Sequence, residues 1–197
     1  DADLFAVTTA TWLYAKGIAH AVLGDVESAL AAQASFRAAV AKIPEERISY
    51  QNKSVDELAV ADAMLSGELE YRRANYDVAF EHLRRAVNLS DNLAYAEPWA
   101  WMQPPRHALG ALLLEQGHVE EAAAVYRADL GLDDTLQRPS QHPNNVWSLH
   151  GYAECLERLE KTDELVKIQV ALQQAEAVAD IPITASCFCR KENHCCD

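Results

Sequence analysis

Apolar positions recur along this chain at intervals of three and four, the period of a helix with one face turned inward. In "EEAAAVYRADL" they fall at Ala122, Val125, Tyr126 and Leu130. The pattern predicts helices at about 3–23, 26–42, 55–73, 76–89, 105–116, 119–131, 145–159 and 162–178. Pro105 and Pro143 suit helix starts, and Ser54-Val-Asp-Glu57 reads as a capping box. Past residue 180, "IPITAS" reads as extended or irregular.

Four segments repeat one skeleton, beginning at Gly17, Gly67, Gly110 and Gly151. A turn residue follows near the middle of each: Gly24, Asn75, Gly117 and, in the degenerate fourth copy, Lys161. Ala29, Ala79 and Ala122 stand twelve positions after the first glycine, with Asp163 in the fourth copy. Small residues at those offsets let two helices of a hairpin cross closely, and the mid-copy residue ends the first helix in a left-handed conformation.

These offsets resemble the tetratricopeptide repeat over roughly residues 11–172, with Trp147 at the family's aromatic position four before Gly151. The glycines fall 50, 43 and 41 residues apart, against about 34 in the usual repeat. The excess lies in the connections 43–54, 90–104 and 131–144. The chain more closely resembles a group of tetratricopeptide proteins, common in bacteria, with a Pro- and aromatic-rich third connection. The match is carried by Arg106, Leu109-Gly110, Tyr126-Arg127-Ala128-Asp129-Leu130 and Thr184-Ala185-Ser186.

The resemblance implies an all-α fold, a right-handed superhelical stack of about four helix hairpins spanning 1–180 and followed by a tail at 181–197. It also implies further repeats, or another domain, before Asp1. Its function would be a protein- or peptide-binding scaffold with no cofactor, using a concave groove lined by the first helix of each hairpin. The family register turns Tyr14, Ile18, Met64, Glu68, Tyr71, Arg72, His107, Ala111, Ser148, Tyr152 and Cys155 toward that face. Ile18, Met64 and Ala111 fit core packing better, whereas Glu68, Arg72 and His107 fit a wet groove. The two-carboxylate clamp of chaperone-tail binders is absent, because Tyr14 and Ile18 occupy its first two positions.

Charge narrows the partners. Seventeen basic residues against thirty acidic ones give −13 over 197 residues. That repels phosphate backbones and anionic lipid, so nucleic acid and membrane surfaces are excluded. No apolar run is long enough to span a bilayer. Cys155 stands alone and four of the five cysteines crowd the last eleven residues, a spread that favours a reducing, cytoplasmic setting. The sequons at Asn52 and Asn88 matter only in a secreted chain.

Chemistry-bearing residues are sparse. The histidines are scattered, with His118 placed in a solvated turn, and no phosphate loop or nucleophile elbow occurs. His142, His150 and Cys155 are near enough in sequence to approach one another, although five residues turn His150 and Cys155 off one helix face. In the tail, Cys187, Cys189, His194, Cys195 and Cys196 supply soft metal ligands, but not with the spacing of structural zinc. The rival reading is a redox-sensitive or disulfide-forming tail, detached from the fold.

The connection "YAEPWAWMQPPR" is stiffened by Pro98, Pro104 and Pro105. In an extended segment Trp99 and Trp101 point the same way, as a lid on the core or as a ligand platform. The peptide groove would therefore comprise Tyr14, Glu68, Tyr71, Arg72, Trp101, Arg106, His107 and Tyr152. Two alternatives accompany it: a small-molecule or metal-dependent enzyme with a pocket near Trp101, Arg106 and His107, and a C-terminal piece capping a longer array.

Overall fold

The computed structural model describes residues 5–190. The chain is all-α: among the described residues the helices are α1 (Ala6–Val22), α2 (Val26–Val40), α3 (Ser54–Arg72), α4 (Tyr76–Asp91), α5 (Pro105–Glu115), α6 (Val119–Leu130), α7 (Val146–Arg158) and α8 (Thr162–Glu176). A two-stranded antiparallel ribbon, β1 (Ile48–Ser49) with β2 (Asn52–Lys53), precedes α3. The chain divides into two compact units, Asp1–Pro105 and Arg106–Asp197.

In the first unit α1 packs on α2, α3 packs on α4, and both α1 and α2 lie against α3. Leu58, Val60, Ala61, Ala63, Met64, Leu65 and Leu69 bury α3 on nearly every side. A helix so enclosed must let its neighbours approach closely. A methyl group added at Gly17 of α1 would come within 2.9 Å of Leu65, and one at Gly67 of α3 within 2.7 Å of Leu83 on α4. Both glycines therefore stand at helix crossings that a Cβ would push apart.

In the second unit Tyr126 of α6 is fully buried between Gly110 of α5 and Gly151 of α7, and a methyl at either glycine would overlap its ring. The repeated glycines thus serve two kinds of crossing. Those at 67 and 110 face the second helix of their own hairpin, whereas those at 17 and 151 face a neighbouring hairpin.

The turns correct one expectation. The residue in the left-handed region is Gly24, Ala74, Gly117 or Glu160, at φ of 79°, 61°, 81° and 55°. In the second and fourth copies that places it one residue before Asn75 and Lys161. The following residue opens the next helix; Asp25 does so with its carboxylate accepting from Ser28 N at 3.1 Å.

The capping box is not formed. Lys53 holds the position before α3, so Ser54 is already helical, and its buried Oγ has no partner. Glu57 instead accepts from Ser49, and burial raises its carboxyl above the usual range. The ribbon delivers the chain into α3 one residue earlier than the box requires.

Nothing lies within 4 Å of a methyl added at Gly24 or Gly117, so alanine there meets only the left-handed backbone. Gly117→Ala is expected to cost about 1 kcal/mol. Gly151→Ala, which must displace the Tyr126 ring, is expected to cost about 1–3 kcal/mol. Urea midpoints of the two variants check both the size and the order.

Candidate functional site

Within the first unit, α1 and α3 bring a mixed aromatic and polar patch together. Tyr14 of α1 is 7% exposed, and its hydroxyl donates to Gln103 Oε1 at 3.1 Å. The Trp101 ring meets Tyr14 edge-on at 5.3 Å, and its Nε1 donates to Met64 Sδ of α3 at 3.2 Å. One turn along α3, Glu68 is 4% exposed and accepts from Arg72 Nε at 2.8 Å. Burial, and then the Glu68 charge, push the Tyr14 hydroxyl pKa far above its ordinary value, so Tyr14 acts as a neutral donor. Arg72 also lies over the ring of Tyr71, itself packed edge-on against Tyr76 and Phe80.

The connection is held where it can serve this patch. Asn52, 6% exposed, donates from Nδ2 to Ala94 O at 2.8 Å and accepts from Ala94 N at 2.7 Å. This pair ties the start of the connection to the ribbon. It also occupies the side-chain amide that a glycan at Asn52 would need. The segment bends rather than extends, leaving Trp99 42% exposed and Trp101 half-buried.

The second unit contains a polar hub that the sequence reading did not single out. Asp129 of α6 is completely buried. Its Oδ1 lies 2.7 Å from His142 Nδ1; its Oδ2 lies 3.2 Å from His107 Nε2 and accepts from Asn145 Nδ2 at 3.0 Å and Ser148 Oγ at 2.6 Å. Burial alone would push this carboxyl up, but the hydrogen bonds from His107 and His142 outweigh it and hold it well below the usual carboxylate range. His107 is thus 9% exposed and bound to Asp129, instead of lining a wet groove. His142 joins this hub; His150 has a buried Nδ1 with no partner.

Tyr152 and Arg106 are buried as well, at 1% and 9%. Tyr152 donates to Glu164 at 2.6 Å and accepts from Arg127 at 2.9 Å. Burial and then the Glu164 contact push its hydroxyl up to about 12. The positive charge of Arg106 reaches Asp133.

The tail is not detached as far as residue 190. Ser186 and Cys187 are buried, and Ser186 Oγ lies 2.5 Å from Tyr126 Oη. Phe188 meets Trp147 edge-on at 5.2 Å, and Arg190 donates to both Glu154 oxygens at 2.5 and 2.8 Å. Cys187 and Cys189 are joined as a disulfide. His194, Cys195 and Cys196 lie outside the described residues. Among the described residues no group of three His, Cys, Asp or Glu side chains could hold a metal ion, and no helix is long and apolar enough to cross a membrane.

Two outcomes test these contacts. The Asp129 carboxyl titrates lower in the folded chain than in the unfolded one, so its stabilisation is complete above the ordinary aspartate range near about 4 and is lost as pH falls below it. Asp129→Asn is expected to lose about 2–3 kcal/mol at neutral pH and to flatten the acid decline, read by urea midpoints between pH 7 and pH 3. Truncation after Ser186 removes Phe188 and Arg190 and leaves Glu154 with Arg158 alone. It should destabilise by about 1–3 kcal/mol, and an unchanged melting midpoint would show the tail to be dispensable.

Comparison of the chain with family models, with curated proteins and with solved structures returns no match.

Proposed function

We propose that the chain is a helical-repeat scaffold of the tetratricopeptide type, its hairpins stacked in a right-handed superhelix, that binds a protein or peptide segment. The observation that carries this reading is the patch shared by α1, α3 and the connection. There a half-buried indole stands beside a buried tyrosine, a thioether and a buried carboxylate paired with arginine. Aromatic and arginine side chains held in place by packing are the groups that dominate binding to protein segments. Met64 adds a soft apolar surface that tolerates varied side chains.

The groove reading then centres on Tyr14, Glu68, Tyr71, Arg72 and Trp101. Arg106, His107 and Tyr152 are buried in the second unit, where His107 and Tyr152 hydrogen-bond to Asp129 and Glu164. The Asp129 hub favours a scaffold over an enzyme, because the ring nitrogens facing Asp129 serve to tie α5 and the 142–145 segment to α6.

The test begins with peptides selected from a displayed random library on the intact chain. Trp101→Ala and Glu68→Gln should each weaken the selected peptides about tenfold or more, the loss expected at a binding hot spot. Asn88→Ala, on an exposed position of α4, should leave affinity unchanged. Selected peptides that bind both patch variants as well as the parent chain would overturn the reading.

A further inference from the structure

We propose that Cys187 and Cys189 form a thiol-exchanging redox site whose substrates are low-molecular-weight or protein thiols, and that its oxidation state controls the seating of residues 184–190 on α6 and α7. The inference is independent of peptide binding.

A ring closed across one intervening residue removes little freedom from the unfolded chain, so the Cys187–Cys189 bond is a poor structural staple. The pair is also asymmetric. Cys187 is 8% exposed, whereas Cys189 is half-buried and reachable from solvent. The Cys189 backbone N–H donates to Cys187 Sγ at 3.3 Å, a contact that favours negative charge on the buried sulfur. Cys189 is thus the more accessible of the two, and Cys187 has a backbone donor for the charge it takes on leaving, a division of labour that suits thiol–disulfide exchange.

The third described cysteine takes no part. Cys155 is fully buried, and burial pushes its thiol up to about 12, which keeps it protonated and unreactive. The surroundings couple the bond to the fold. Ser186 reaches Tyr126, the ring wedged between Gly110 and Gly151; Phe188 packs on Trp147; and Arg190 is held by Glu154. All three contacts sit within three residues of a sulfur, so opening the ring frees the backbone that presents them.

The chemistry balances. A thiolate from outside attacks Cys189 Sγ and forms a mixed disulfide there. The bond to Cys187 breaks, and Cys187 Sγ leaves with the electron pair and takes a proton from water. A second external thiolate attacks the external sulfur of the mixed disulfide and departs as the external disulfide, releasing the Cys189 sulfur, which is protonated. Two thiols are oxidised and the protein disulfide is reduced by the same two electrons.

The experiment uses the full chain with Cys195→Ser and Cys196→Ser, equilibrated against graded ratios of reduced to oxidised glutathione, alkylated and mapped by peptide mass. Cys187 and Cys189 are expected to pass together from alkylated to disulfide-bonded in one two-electron transition, with Cys155 unmodified throughout. Backbone hydrogen exchange over 184–190 should quicken about tenfold or more on reduction. Cys187→Ser, which leaves the accessible sulfur, should accept glutathione at least about tenfold faster than Cys189→Ser. The same peptide map on the parent chain guards against a variant that fails to fold. Cysteines that stay alkylatable at every ratio, a bond from Cys187 to any other cysteine, or exchange at 184–190 that ignores oxidation state would each overturn the proposal.

Discussion

The ring of Tyr126 occupies a gap that exists only because the residues on either side of it have no side chain. Gly110 and Gly151 come from α5 and α7, so one aromatic residue of α6 sets the spacing of three helices at once. Its hydroxyl, in the middle of this packing, would be an unpaired buried group without Ser186. The tail is therefore drawn onto the fold by the polar end of its most enclosed side chain. Burial also raises the Tyr126 hydroxyl far above its ordinary pKa, with the Ser186 bond opposing, so the contact is one between neutral groups and is insensitive to pH in the ordinary range.

A second constraint comes from the connections, which are longer than a compact hairpin array needs. Extra backbone brings extra donors and acceptors, and each must find a partner when it is covered. A buried polar residue answers part of this in each unit. Asn52 meets both the N–H and the C=O of Ala94, the geometry of a strand neighbour supplied by a side chain. Asp129 gathers His142 and Asn145 from the connection and Ser148 from α7, while its own carbonyl accepts from His142 N at 2.7 Å. A charged acceptor suits that task, since one carboxylate holds several donors, and those donors keep it ionised despite burial.

The helices were legible because their apolar period is regular and their glycines fall at fixed offsets. The crossing role of Gly67 and Gly110 follows from sequence alone, but the partners of Gly17 and Gly151 do not, because one glycine fits either a hairpin mate or a neighbouring hairpin. The left-handed turn at Ala74 and Glu160 was read one residue late, since propensity favours Asn75 and a turn can force an alanine or glutamate into that region when both flanking helices are fixed by packing. Ser54 misled for a related reason: the ribbon, too short to give an alternating pattern, moved the helix start. Of the site residues, Tyr14, Glu68 and Trp101 do come together. Asp129 stands in the sequence only as part of a matching motif, with no role, because a single acid in an amphipathic helix looks like surface until the residues at 142, 145 and 148 fold back upon it.

Burial also sorts the polar candidates by role. His107 and Tyr152 share the hairpin register of Tyr14 and Glu68, yet His107 Nε2 is engaged by Asp129 and the Tyr152 hydroxyl by Arg127 and Glu164, all within the second unit. Trp101 differs from them. Among the described residues its Nε1 donates to the weak acceptor of Met64, and part of its surface stays open. A sulfur acceptor gives up less on exchange than a carboxylate does, so the indole is the group in the patch that a ligand can recruit at least expense to the fold. The Asn52 clamp fixes the chain ahead of it, and Tyr14 with Gln103 fixes the chain after it. A recognition side chain is most useful where its backbone is anchored on both sides and its own bonds are weak, and Trp101 stands between the anchors at Ala94 and Gln103 with a sulfur as its acceptor.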